Sequence, residues 1–428
     1  MNTIKIAIFP SGTEIGLEIN NALRFSKDIE LIGLSSIKDH TRYIYNNYFE
    51  NLPFYNDKDF IEKLNEIVGV NGIDFIYPGH DDVLLYLTQN KDEINTEIIT
   101  SDLKTVEICR SKIKTYKYFE TENFIPKTYN DINEVNQYPV FIKPDIGQGS
   151  HGAKLIKNRD ELKYEYNQSK RIVICEYLSG EEYTIDCFTD TNGDLKIIIP
   201  RIRRRVRCGI SVNSEGIPLT DEVENIAKTI NSKLRFNGAW FFQVKKDIDG
   251  NLKLLEIAPR IAGTMGLGRN TGVNFPLLTL YNTMNINTEI IKYNYNIEVD
   301  RAFVSRYKID IEYKYVYIDL DDTIIFKGKI NQFVIMYLYQ LVNNGIKIIL
   351  LTKHAGKIFD ILMKYRICKE LFDEIIHIEK NDEKFKYIKN NNAIFIDDSF
   401  SERLKIYKNL KIVTFDLNEI EALIDWRI

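Results

Sequence analysis

Asp319 and Asp321 stand one residue apart at the end of an apolar run, in Tyr317-Ile-Asp-Leu-Asp-Asp-Thr323. Alternate residues of an extended chain point the same way. Burying two carboxylates together is costly without a cation. Three further segments supply chemistry of the same kind. Ile348-Ile-Leu-Leu-Thr352 ends in a hydroxyl, Lys384 opens a helical pattern, and Ile394-Phe-Ile-Asp-Asp-Ser399 ends in Asp397 and Asp398. If the apolar runs are strands of one parallel sheet, their ends converge at one edge, where ligands bind.

A second constellation precedes it. Phe141-Ile-Lys-Pro-Asp-Ile-Gly-Gln-Gly-Ser-His-Gly152 puts Lys143 at a strand end before a loop holding Gly147, Gly149, Ser150 and Gly152. Glycines let backbone N–H groups converge on phosphate oxygens, and a lysine adds a point charge. Cys175-Glu-Tyr-Leu-Ser-Gly-Glu-Glu-Tyr-Thr184 follows the next strand, and Leu254-Leu-Glu-Ile-Ala-Pro-Arg260 ends a later one with Glu256 and Arg260. Between them lie Arg201, Arg203, Arg204, Arg205 and Arg207. With period two, Arg201, Arg203, Arg205 and Arg207 share a face. Four guanidiniums there repel one another, which an anionic substrate, carboxylate or phosphate, would relieve; a solvated sheet edge is the competing expectation.

The elements that must hold these residues follow from apolar periodicity. Ile4–Phe9, Ile29–Leu34 and 74–77 read as strands alternating with helical stretches at 15–23 and 59–68, a parallel βαβ pattern. The turn Pro10-Ser11-Gly12 with Gly16 is expected to be a tight turn that lets a helix pack, since it lacks the full dinucleotide-loop spacing. A long helix is predicted over 103–119. Hairpin-like strands follow at 140–143, 172–176, 183–188, 196–199, 240–245 and 252–257. After a polar, tyrosine-rich stretch at 295–312, βαβ alternation resumes with strands at 315–320, 347–351 and 393–396 and helices at 332–343 and 357–365. The 428 residues exceed the roughly 250–300 that one core serves, so at least two domains are expected.

With 57 Lys+Arg against 61 Asp+Glu the net charge is −4, which argues against broad nucleic-acid binding. No apolar run is long enough to span a membrane, and the first residues enter a strand directly without signal-peptide architecture. The five cysteines, Cys109, Cys175, Cys187, Cys208 and Cys368, form no paired spacing and are expected to be buried free thiols. A cytoplasmic protein is expected.

The middle motifs, in that order, resemble the ATP-grasp superfamily near the carbamoyl-phosphate-synthase-like carboxylate–amine ligases, over about residues 1–290. The resemblance implies an α/β multidomain chain: a Rossmann-like pre-ATP-grasp domain at 1–105 and an α+β ATP-grasp domain at 106–300. By it, Lys143 and, less securely, Lys112 contact phosphates, and Gly147–Gly152 forms the flap. Glu176, Tyr177 and Leu178 form the adenine hinge, and Glu182 sits at the ribose. Gln243 and Glu256 hold magnesium, with manganese as a substitute, and Arg260 steadies the transferred phosphoryl group or acyl-phosphate. Ala258 stands where the family usually has a metal-binding asparagine, which puts the second metal ligand in question.

The last segments resemble the haloacid-dehalogenase (HAD) phosphatase superfamily over about residues 312–428, a Rossmannoid domain without a cap. By that resemblance Asp319 is the nucleophile that forms an aspartyl-phosphate and Asp321 the general acid and base. Thr352 and Lys384, with Lys380 as runner-up, bind phosphoryl oxygens. Asp319, Asp321, Asp397 and Asp398 form the magnesium set. Asp322 stands where glycine is common.

Together these imply a bifunctional enzyme: an ATP-dependent ligase producing ADP and phosphate, joined to a phosphatase. Its partners would be a small carboxylate, an amine and a phosphoester, with homo-oligomerisation compatible. The alternatives are a kinase-like phosphotransferase in place of the ligase, or a nucleotide-binding regulatory protein with one inactive half.

Overall fold

The computed structural model describes residues 3–168 and 171–427. The chain divides into two compact units, one reaching to Phe303 and the other Val304–Arg427, so the break falls inside the polar stretch 295–312.

The first unit opens with a five-stranded parallel sheet in the order Asn47–Phe49, Ile29–Leu34, Ile4–Phe9, Phe75–Pro78, Glu97–Ile98. After Ile4–Phe9 the chain turns at once into the helix Glu14–Leu23, whose first turn is capped by the Thr13 hydroxyl accepting from the Gly16 N–H. Any Cβ at Gly16 would collide with the carbonyl of Ser11. That glycine serves close packing of helix on turn.

The helix expected over 103–119 is two helices, Leu103–Arg110 and Lys112–Tyr118. Ser111 ends the first in an extended conformation and caps the second, its side chain accepting from Lys114 N–H. Its hydroxyl also donates to Asp145 at 2.6 Å, a competing partner that a continuous helix would forgo. The break sets Lys112 in the first turn of the second helix.

Two antiparallel sheets follow. The smaller runs Thr128–Tyr129, Ile172–Glu176, Val140–Pro144, Lys154–Ile156. The larger runs Leu252–Ala258, Gly238–Lys246, Glu182–Thr189, Leu195–Arg207, Ile210–Gly216, Glu298–Asp300. The strand predicted at 196–199 thus extends through all five arginines, and two strands pair beyond it. Packed on this sheet is the helix Asp221–Lys233, capped by Thr220, which buries Val223, Ile226, Ala227 and Ile230. Each such large aliphatic side chain contributes about 1.5–3 kcal/mol. In the same core Trp240 is wholly buried, its ring stacked on Phe236 at 4.1 Å between centroids.

The second unit is a five-stranded parallel sheet in the order Glu374–His377, Lys347–Thr352, Tyr315–Ile318, Ala393–Ile396, Val413–Phe415. The central strand is buried because both faces are covered, which is why it reads as uninterrupted apolar sequence. Between Asp319 and Thr352 the chain forms a short hairpin, Ile325–Phe326 with Lys329–Ile330, and the helix Gln332–Asn343. Between Thr352 and Lys384 it forms the helix Ile358–Lys364 and an edge strand. Neither gap holds a folded insertion among the described residues. Trp426, near the end of this unit, packs on Phe333 with ring centroids 6.5 Å apart. No helix among the described residues is long and apolar enough to cross a membrane. Cys109, Cys175 and Cys187 are buried free thiols as expected, whereas Cys208 and Cys368 are exposed.

Candidate active sites

Cross-strand pairing lines up the chemistry of the large sheet. Glu256 opposes Gln243, Gln243 opposes Thr184, and Thr184 opposes Arg201, so four consecutive strands present these residues on one face. Two residues along, Glu182 and Arg203 repeat the pattern and form an ion pair. Two adjoining cavities, of about 170 and 390 Å³, open over this face, with Lys112, Gly147, Gln148, Arg203, Gln243 and Glu256 among the residues of their common wall.

The smaller cavity gathers most residues of the Gly-loop constellation. Lys143 lies at the end of its strand with Nζ donating to the Tyr116 hydroxyl at 2.6 Å and the Leu255 carbonyl at 3.1 Å. Burial lowers its pKa, opposed by nearby acidic groups including Glu256. Burial also lowers that of Lys112, whose Nζ has two long contacts among the described residues, 3.5 Å each, to the carbonyls of Asp145 and Gly147. Two desolvated ammoniums facing one cavity favour an anion between them. Gly149 and Gly152, with Ser150, take left-handed backbone conformations, and the loop lies on the turn at Gly209. A Cβ on Gly209 would collide with the Gly149 backbone.

Glu176, Tyr177 and Leu178 line the far end. The Glu176 carboxylate is spent on the backbone N–H of Lys127 at 2.8 Å. Glu182, placed at the ribose by resemblance, lines this cavity with its carboxylate on Arg203. Gln243 accepts from Arg203 at 3.0 Å. Glu256 has no hydrogen bond or ion pair of its own among the described residues, and Ala258 adds no donor beside it. Magnesium binds through one or two carboxylates plus phosphates and water, and the free Glu256 carboxylate beside an amide fits that use.

Arg260, expected to steady the transferred phosphoryl group, lines the larger cavity and already has a carboxylate partner. It is locked in a two-pronged pair with Asp81, at 2.6 and 2.7 Å. Burial works to raise the Asp81 pKa, but the Arg260 guanidinium outweighs it and holds the carboxyl at about 2. The pair lines the larger cavity with Thr13 and His80 from the parallel sheet's edge.

The shared arginine face also needs correction. A register shift between Arg203 and Arg205 leaves Arg204 as an extra residue in the strand, and a second shift between Arg205 and Val206 leaves Val212 as an extra residue in its partner, so a strict period of two no longer holds. Arg201 is 1% exposed and fully engaged by Asp186 at 2.8 and 3.2 Å. Arg203 faces the cavities. Arg205 turns outward to Asp300, and Arg207 lies over the Phe303 ring.

In the second unit the strand ends do converge. Lys384 Nζ lies 2.6 Å from both Asp319 and Asp397, while Lys380 is exposed. Asp319, Asp397 and Asp398 bring ligand oxygens within 4.8 Å of one another, and buried Thr352 ends the adjacent strand. Burial raises the Asp397 pKa to about 6; Asp319 adds to the rise, and Lys384 opposes it. Three carboxylates against one lysine leave negative charge that a divalent cation would balance. Asp321, expected in the metal set, stands apart from this group: its half-exposed carboxylate is taken by His354 Nδ1 at 2.9 Å. Asp322 takes a left-handed conformation, the physical reason glycine suits that position. The sequence reading missed His354, and also Arg403, which donates to the carbonyls of Asp397 and Asp398. Neither carries a spacing signal.

Residues 168–302 match a family model described as ATP-grasp in the biosynthetic pathway with Ter operon. A D-alanine–D-alanine ligase of Fusobacterium nucleatum is 34% identical over 74 residues, 17% of this chain and 26% of that protein. A 3-methyl-D-ornithine–L-lysine ligase of Methanosarcina mazei is 26% identical over 148 residues, 34% of this chain and 37% of that protein. The chain thus spans only 26% and 37% of the length of these curated relatives. Among solved structures, the biotin carboxylase domain of Hydrogenobacter thermophilus 2-oxoglutarate carboxylase, in complex with MgADP, matches with a TM-score of 0.56 at 16% identity, over 70% of this chain and 74% of that one. The Staphylococcus aureus N5-carboxyaminoimidazole synthetase complexed with ADP gives 0.56 at 14%, over 68% and 81%. An L-amino acid ligase from Bacillus licheniformis gives 0.53 at 17%, over 68% and 76%. At these identities the likeness is one of fold: the chain contains an ATP-grasp fold.

Proposed function

We propose that the first unit is an ATP-dependent carboxylate–amine ligase working through an acyl-phosphate, and that the second is a phosphatase of the HAD type. The ligase reading rests on one observation above all: Lys143, Lys112, the Gly147–Gly152 loop and the unpaired Glu256 surround one cavity. In it the nucleotide's phosphates lie between the two ammoniums under the loop's N–H groups, with the 176–178 backbone against the base. Glu256 and Gln243 would hold magnesium, which neutralises phosphate oxygens when bound. A substrate carboxylate attacks the γ-phosphorus and ADP leaves. The amine then attacks the acyl carbon and phosphate leaves. Arg260, oriented by Asp81, would offer a remaining guanidinium N–H as a hydrogen-bond donor to the acyl-phosphate. The test is product analysis of the full chain with ATP, magnesium, a panel of carboxylic acids and an amine. Substrate-dependent ADP and phosphate are expected; AMP and pyrophosphate would overturn the reading.

The phosphatase reading rests on the buried Lys384 bridging Asp319 and Asp397. Lys384 and Thr352 hold the phosphoryl oxygens while an Asp319 oxygen attacks phosphorus. Asp321 gives its proton to the departing alkoxide, then takes one from the water that hydrolyses the aspartyl-phosphate. Asp319, Asp397 and Asp398 would hold the magnesium that shields the incoming phosphate's charge. Magnesium-dependent release of phosphate from a generic aryl phosphate tests this; no release by folded protein would overturn it.

A further inference from the structure

Most cations of the larger cavity are already neutralised. Arg110 is paired with Asp82, Arg201 with Asp186, Arg203 with Glu182 and Arg260 with Asp81. Arg301 is not. It follows the edge strand Glu298–Asp300, and its backbone N–H donates to Val212 at 2.7 Å, which fixes its Cα. Its guanidinium makes one long contact, 3.4 Å to the Ser211 carbonyl. Glu18 lies near enough to feel its charge but spends its own carboxylate on Arg269.

Strand alternation puts Arg301 on the same face as Val299, which opposes Ser214, which in turn opposes Arg203. Two more polar atoms on that cavity's lining are buried without partners: the Thr184 hydroxyl and Arg203 Nε. Such groups are rare in native proteins unless a ligand or water completes them. Position separates Arg301 from the phosphate chemistry. Lys112, Gln243 and Glu256 line both cavities, whereas Arg301, Ser211 and Thr13 line only the larger one.

An acid activated at the shared wall therefore has its reacting carboxylate at one end of the larger cavity and Arg301 beyond it. We propose that Arg301 binds a second oxyanion on the acid substrate, a carboxylate or a phosphate, so that the ligase selects dianionic acids over simple monocarboxylates. This rests on the ligase reading above. Arg301 is a specificity-determining residue in it: it holds the non-reacting end.

The experiment uses the full chain with ATP, magnesium and hydroxylamine, which traps an acyl-phosphate as a hydroxamate. Propionate, a series of four- to six-carbon dicarboxylates and 3-phosphoglycerate are compared, the last two arms separating carboxylate from phosphate as the second group. A dianionic acid is expected to exceed propionate in kcat/KM by roughly tenfold or more, the scale of one charge-assisted hydrogen-bonded contact. Arg301→Gln should raise its KM by a similar factor with the KM for ATP unchanged, and Arg301→Lys should recover part of the loss. Equal use of propionate, or an unchanged KM in Arg301→Gln, overturns the assignment while leaving the ligase standing. If no acid yields hydroxamate, the ligase reading fails and binding decides the Arg301 site. Thermal stabilisation of the MgADP-loaded protein by the dianions over propionate at equal ionic strength, lost in Arg301→Gln, upholds it. Equal stabilisation of both proteins overturns it.

Discussion

The Nζ of Lys384 and the Oδ1 of Asp319 stand 2.6 Å apart, both almost wholly enclosed, with the lysine's second contact on Asp397. One ammonium thus serves two carboxylates that compete for it. The consequence is a charge deficit measurable as pH-dependent stability. A carboxyl whose folded pKa is raised contributes stability that is fully present below its unfolded value, 3.8, and lost as pH climbs through about 6. Chelator-treated protein should therefore lose stability between pH 4 and pH 7, with Asp397 contributing on the order of 3 kcal/mol. Magnesium should raise the calorimetric transition of this unit more at pH 7 than at pH 5. A magnesium effect independent of pH would count against the cluster as a cation site.

Asp319→Asn should abolish aryl phosphate hydrolysis, because the amide cannot form the phosphoryl adduct, while ATP turnover persists. Lys143→Ala should do the reverse. Loss of both activities from either change in folded protein would refute two independent sites.

Removing Arg260 strands the partly buried Asp81 carboxylate, whose pKa burial raises and the guanidinium lowers. Arg260→Ala should destabilise the first unit by up to about 3 kcal/mol, the pair being partly open to solvent and so below the full scale for a buried pair broken from one side. Adding Asp81→Asn should restore part of it. Urea denaturation of the two variants measures the difference; a loss unaltered by the second change would mean the pair is not the source.

Gly209→Ala tests the loop's seat. The methyl group would meet the Gly149 backbone and occupy a left-handed conformation, so the loop must lift. The KM for ATP should rise several-fold, with aryl phosphate hydrolysis unaltered.

The segments that carry chemistry were readable where strand ends supply it. Lys143, Asp319 and Asp397 each end an apolar run and Glu256 stands two residues before the end of one, and a run's end is visible in sequence. What the run cannot show is a partner from a distant element. The Arg260–Asp81 pair joins positions 179 residues apart, which no local pattern displays. Arg205 was placed with Arg203 because a bulge leaves no local signal; an exposed pair with Asp300 now makes it a poor candidate for substrate contact. Arg301 and His354 lacked any motif, and only cross-strand register or a side-chain contact finds them.

The sequence contains two tryptophans, and the fold gives one to each unit. Trp240 sits in a dry aromatic stack, whereas Trp426 is partly open to solvent beside Phe333 and the Arg306 guanidinium. Their emission maxima should differ, the enclosed indole to the blue and the wetter one to the red. Intrinsic fluorescence then gives two optical channels in one polypeptide. Replacing either indole with phenylalanine isolates the other, so the order in which the two halves melt can be read without labels or fragments.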